Sequence, residues 1–91
     1  MSQRATCKVK IKNRLGLHAR PAMMFVDAAT GMESAITVKG NGEEVDGKSI
    51  MQMMMLAATQ GVELEILAVG SDAESAIVSL QKLVESGFGE D

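Results

Sequence analysis

The sequence predicts an α+β fold in which one four-stranded sheet carries three helices on a single face, in the order β-α-β-β-α-β-α. Two patterns predict the elements: four stretches alternate apolar and polar residues with the period of a half-buried strand, and three others gather apolar residues into one helical stripe. A third predicts the wet face, because the outward residues of the first and last strands are charged. The 91 residues, 46% hydrophobic and 23% charged, suit one small domain, 1–91, with a single modest core.

Thr6 to Lys12 sets Cys7, Val9 and Ile11 against Lys8, Lys10 and Lys12, a first strand with one buried side. Asn13 to Gly16 reads as a loop. The next helix runs from about Ala19 to Ala29, with Ala22, Phe25, Val26 and Ala29 as its core stripe and Gly31 ending it. Ser34 to Lys39 is a second strand with Ile36 and Val38 inward. Gly40-Asn41-Gly42 supplies a hairpin turn, and Glu43 to Asp46 is a short, polar edge strand around Val45.

Ser49-Ile50-Met51-Gln52 has the form of a capping box, so a second helix should start at Ser49 and run to Leu56 or Ala58. Ile50, Met53, Met54 and Ala57 fall on its expected core side, with Met51 and Met55 outside. Val62 to Val69 is the strongest strand, with Val62, Leu64, Ile66 and Ala68 inward and Glu63 and Glu65 outward. Its glutamates complement the lysines of the first strand, which predicts that the two are neighbours. A second capping box, Ser71 to Glu74, opens a helix striped by Ala73, Ala76, Ile77, Leu80, Leu83 and Val84, closed by Gly87. Phe88 to Asp91 is an acidic tail with one aromatic residue to fold back.

Composition excludes several classes of function. A net charge of −3 gives no general attraction to nucleic acid, and with Phe25 and Phe88 the only aromatic residues there is no base-stacking platform. One cysteine forms no intrachain disulfide, and one histidine with one cysteine makes no ordinary zinc site, so neither metal nor cofactor is expected. No apolar run approaches the about 20 residues of a membrane span, nor is there an apolar signal core, so no membrane insertion and a cytoplasmic location are expected.

Chemistry concentrates in Gly16-Leu17-His18-Ala19-Arg20-Pro21-Ala22, which holds the only histidine and the only proline. Proline suits the first turn of a helix, so the helix should start close to Pro21 with His18 just ahead. Unpaired N–H groups and the helix dipole attract anions there, and Arg20 adds a guanidinium whose planar fork matches phosphate oxygens. A neutral imidazole is a nucleophile, and an ordinary histidine titrates near about 6.5. A lone histidine at a helix start is more often a cap or a surface residue; the combination points to a phosphoryl acceptor. Methionine, unbranched and polarisable, either fills irregular gaps or meets partners of differing shape. Met23, Met24, Ile50, Met51 and Met55 are the candidate docking residues.

The motif from Gly16 to Ala22 closely resembles the active site of the histidine-containing phosphocarrier protein (HPr) family, and the similarity extends along essentially the whole chain. The resemblance implies an open-faced β-sandwich whose four-stranded antiparallel sheet has the order 1-4-2-3. It implies phosphorylation of His18 on Nδ1, with Ala19, Arg20 and Ala22 around the phosphate. Phosphoryl groups would pass from phosphoenolpyruvate through enzyme I to His18, then to an enzyme IIA domain, making the chain a monomeric carrier and a substrate of enzymes more than an enzyme.

Gly47-Lys48-Ser49-Ile50-Met51 resembles the second motif of HPr proteins whose serine an ATP-dependent HPr kinase modifies. That implies regulation at Ser49, with the kinase/phosphorylase and transcription regulators as further partners. Ser49 as a plain helix cap is the alternative. The stretch from Ser86 to Asp91 resembles instead the nitrogen-related paralogues. The reading adopted is a general phosphotransferase-system HPr. Its alternatives are a nitrogen-related or purely regulatory paralogue acting as a binding module and, third, a phosphohistidine phosphatase.

Overall fold

A computed structural model describes residues 3–90, and Asp91, the end of the expected tail, lies outside them. The elements are β1 (Gln3–Lys10), α1 (Ala19–Thr30), β2 (Ala35–Gly40), β3 (Glu43–Asp46), α2 (Ile50–Met55), β4 (Glu63–Gly70) and α3 (Ala73–Glu85), followed by a 3-10 turn at Gly87–Gly89. The strands form one antiparallel sheet in the order β1-β4-β2-β3. Register places Lys8 opposite Glu65 and Lys10 opposite Glu63, so the charge pattern did mark two neighbouring strands.

The helices cover the sheet face that carries Val9, Ile36, Val38, Leu64, Ile66 and Ala68, all buried. α1 adds Ala22, Phe25, Val26 and Ala29, and α3 adds Ala73, Ala76, Ile77, Leu80 and Val84, the stripes that helical spacing marks except that Leu83 is only half-buried at the edge of its stripe. The opposite face is less uniformly polar than expected. Leu67 and Val69 of β4 lie there half-buried beyond Glu63 and Glu65, because a central strand is flanked on both sides and its outward side chains are shaded by their neighbours.

α2 departs furthest from expectation. It is six residues long, and Met53 and the following Leu56 are its buried contacts; Ile50 and Met54 are exposed, as are Met51 and Met55. Ala57 leaves the helix altogether with φ 47°, held where the Asn41 amide donates to the Leu56 and Ala57 carbonyls at 3.0 and 3.2 Å. Those bonds from the β2–β3 turn end the helix before its fourth core position is reached. Its capping box is half-made: Ser49 Oγ accepts from Gln52 N–H, but Gln52 Oε1 accepts from the Asp46 N–H at 2.8 Å instead of reaching back to Ser49.

The cap of α3 also differs. Asp72, one residue after the expected Ser71, is the N-cap, and its carboxylate turns away from its own helix to accept from Glu33 and Ser34.

Candidate phosphoryl-accepting site

The site is assembled by the loop between β1 and α1. Pairing with β4 continues beyond β1, with Ile11 N–H donating to Val62 O at 3.0 Å and Gly61 N–H to Ile11 O at 2.9 Å. The chain then turns at Asn13, whose buried amide donates to Gly16 O at 2.7 Å. Gly16 has φ 71°, and a Cβ there would lie 2.6 Å from Ala58 O and 2.9 Å from Thr59 Cα. Leu17 N–H donates to that same Ala58 carbonyl at 2.8 Å, and Leu17 buries its side chain. The loop is thereby bolted to the segment after α2, and the next residue is His18.

His18 is the N-cap of α1, with extended backbone and a side chain that makes no capping bond. The helix begins at Ala19, so Pro21 occupies its third position and not its first. That placement thins the anion site. Pro21 has no N–H, and Ala22 N–H already closes the first turn on His18 O at 3.0 Å. Among the described residues the open donors at the helix mouth are the N–H groups of Ala19 and Arg20; the expected third, Ala22, is committed to the helix.

The imidazole, about a third exposed, turns Nε2 onto Glu90, 2.9 Å from Oε1 and 3.0 Å from Oε2. Arg20 Nη1 reaches Oε2 of the same carboxylate at 3.3 Å, and Asn13 Nδ2 donates to Oε1 at 3.0 Å. These contacts, the His18 hydrogen bond first, hold the Glu90 carboxyl below the usual range. A charged carboxylate only accepts, so Nε2 carries the proton and donates it. Among the described residues Nδ1 has no hydrogen-bond partner, which leaves it open to an incoming electrophile.

Sequence reasoning placed His18 and Arg20 here and missed Glu90 and Asn13. Nothing local marks Glu90; the signal is Phe88, which is fully buried and anchors the chain two residues before the carboxylate that meets His18. Of the candidate docking residues, Met23, Ile50, Met51 and Met55 are exposed, Met51 at 81%, whereas Met24 packs half-buried against the core. Leu15, three residues before His18, is also exposed, at 68%, and was not singled out. Ser49 lies at the far end of α2 from the Ala58–Leu17 contact, about 9 Å of helix away.

Residues 5–86 match the family pattern described as the PTS HPr component phosphorylation site. This chain belongs to the HPr family. It is 44% identical over 85 residues to the phosphocarrier protein NPr of Proteus mirabilis, covering 92% of this chain and 94% of that protein. It is 42% identical over 82 residues to the phosphocarrier protein HPr of Neisseria meningitidis serogroup B, covering 90% and 92%. A crystal structure of HPr-C-His from Thermoanaerobacter tengcongensis superposes with a TM-score of 0.90 at 44% identity, covering 96% of this chain and 98% of that one. The open-faced sandwich, shared with that HPr structure, leaves Ala19 and Arg20 at the start of α1 exposed, and the chain is an HPr-type phosphocarrier of the phosphotransferase system. No helix among the described residues is long and apolar enough to cross a membrane.

Proposed function

We propose that His18 is the residue that carries the phosphoryl group, accepting it on Nδ1 from phospho-enzyme I and passing it to a histidine of an enzyme IIA domain. The observation that carries this reading is the ring itself: Nε2 is held by Glu90 while Nδ1 is free beside the open N–H groups of Ala19 and Arg20. In-line transfer needs positioning and charge neutralisation, and the two amides and the Arg20 guanidinium supply both once Arg20 swings from Glu90 to the phosphate. The apolar surface of Leu15, Met23, Ile50, Met51 and Met55 serves as the docking face, and the protein works as a cytoplasmic monomer.

Incubation with enzyme I and phosphoenolpyruvate tests the reading. The expected result is a mass gain of one acid-labile phosphate that disappears in His18→Ala. No gain, or a gain that survives the substitution, rejects it.

Ser49 is proposed as a second, regulatory phosphorylation site for an ATP-dependent kinase. A phosphate there places about −1.5 to −2 charges beside Ile50 and Met51 and opposes acidic partners. Ser49→Asp keeps a good N-cap and is expected to fold normally but to accept phosphate from enzyme I more slowly. Equal rates leave Ser49 as a cap alone. For the branch, NPr and HPr relatives are about equally similar, at 44% and 42% identity. The sugar-type reading predicts faster loading by a sugar-system enzyme I than by its nitrogen-related counterpart.

A further inference from the structure

Glu90 is held in place from several sides. Phe88, two residues earlier, is fully buried, so the backbone leading to Glu90 is anchored in the core. The buried Asn13 amide ties Gly16 O and Glu90 Oε1 together at 2.7 and 3.0 Å, linking the carboxylate to the loop that carries His18. Both carboxylate oxygens then converge on Nε2, and one also meets Arg20. A partly exposed ion pair adds little to stability, so an arrangement of this order is better explained by what it does to the ring.

We propose that Glu90 is a positioning residue for His18: it fixes the ring and its Nε2–H tautomer so that the Nδ1 lone pair faces the incoming phosphorus, and it offsets the charge the ring acquires on phosphorylation. This deepens the reading of His18 as the phosphoryl acceptor and rests on it. In the uptake step the Nδ1 lone pair forms the new N–P bond. The bond from phosphorus to the donor atom breaks, and its electron pair stays with the donor. Nε2 keeps its proton throughout, so the phosphorylated ring is an imidazolium whose positive charge lies against the Glu90 carboxylate. In release the P–Nδ1 bond breaks, its electron pair returns to Nδ1, and a neutral Nε2–H imidazole leaves. A neutral leaving group departs far more easily than an imidazolate, so holding the Nε2 proton assists both directions.

Arg20 takes part in the same exchange. In the unphosphorylated protein its guanidinium rests on Glu90, which stands where an anion would attract it; a phosphate on Nδ1 brings a second, more highly charged claimant. Glu90 therefore keeps Arg20 beside His18 between transfers.

The test uses the full chain and two donors. With phosphoramidate, a small phosphoryl donor that needs no docking face, Glu90→Ala is expected to take up phosphate about tenfold more slowly, the loss of one charge-assisted hydrogen bond in the transition state. Glu90→Gln keeps an acceptor for Nε2–H but no charge, and should fall between the two. Hydrolysis of phospho-His18 requires the Nε2 proton, so its pH profile should shift to lower pH in Glu90→Ala. Long-range proton–nitrogen spectra should show the Nε2–H fraction of the unphosphorylated ring falling towards that of a free histidine side chain. Unchanged uptake and an unchanged hydrolysis profile in folded Glu90→Ala overturn the proposal. Loading by phosphoramidate but not by enzyme I and phosphoenolpyruvate removes the carrier reading and leaves the Glu90 effect measurable.

Discussion

Ser34 gives both of its donors to Asp72: the N–H at 2.9 Å and the hydroxyl at 2.5 Å converge on the same carboxylate oxygen, Oδ1. The second oxygen accepts from Glu33 N–H at 2.9 Å. The start of α3 is thereby tied to the segment entering β2, and the buried Ser34 hydroxyl is satisfied.

This contact sets a pH dependence. The Ser34 hydroxyl, followed by the N–H groups of Glu33 and Ser34, holds the Asp72 carboxyl below its ordinary value of 3.8. A group whose pKa is lowered by folding contributes stability that is fully present above the unfolded value and is lost as pH falls through the folded one. Asp72→Asn is expected to lower the urea midpoint at neutral pH, with the difference from the parent closing below pH 3.8. Midpoints measured across that range check it, and a constant difference would contradict it.

Gly70 lies against the same serine. A Cβ there would sit 2.5 Å from Ser34 Cα, a backbone atom that cannot step aside. Gly70→Ala should destabilise by about 1–3 kcal/mol, the range of overpacking, measured by urea unfolding.

Gly16→Ala meets backbone on two sides, Ala58 O and Thr59 Cα, in a left-handed conformation. Its effect should appear twice, as a lowered urea midpoint and as slower loading of His18 by enzyme I, because the loop that aims the ring is displaced. A variant destabilised yet loaded at the parent rate would show that the loop does not aim the ring.

Phe88→Ala removes a fully buried ring, and about 3–5 kcal/mol of stability should go with it. Phe88→Leu, which refills part of the space, should lose less than Phe88→Ala. Both should weaken the hold of Glu90 on His18 in proportion, read from the Nε2–H resonance. A ring resonance unmoved in either variant would mean that Glu90 is placed without Phe88.

Asn13→Asp replaces two donated hydrogen bonds with a carboxylate facing Glu90 and the Gly16 carbonyl. Repulsion should expel the tail, lowering stability by about 1–3 kcal/mol and slowing uptake by His18 as Glu90→Ala does. Uptake at the parent rate would separate Asn13 from the chemistry.

How far the sequence carried depended on range. Strand alternation and the stripes of α1 and α3 were legible because each is written within a few residues of itself, and the lysines of β1 opposite the glutamates of β4 exposed one long-range pairing. α2 was misjudged at Ile50, Met54 and Ala57 because what ends it is Asn41, fifteen residues away and in another element. The cap at Asp72 was misplaced by one position because its carboxylate answers to Ser34, not to its own helix. His18 and Arg20 are neighbours in a motif, whereas Glu90 joins them across most of the chain, through a turn that no local pattern encodes.

The exposed sulfurs have a chemical consequence. Met23 of α1 and Met51, Met54 and Met55 of α2 are exposed, while Met53 is sealed in the core. Among the described residues an oxidant therefore reaches these four before Met53, turning a pliable, greasy side chain into a polar sulfoxide without touching the packing beneath. Under oxidative stress the molecule would keep its shape while the proposed docking face, through Met23, Met51 and Met55, turned polar.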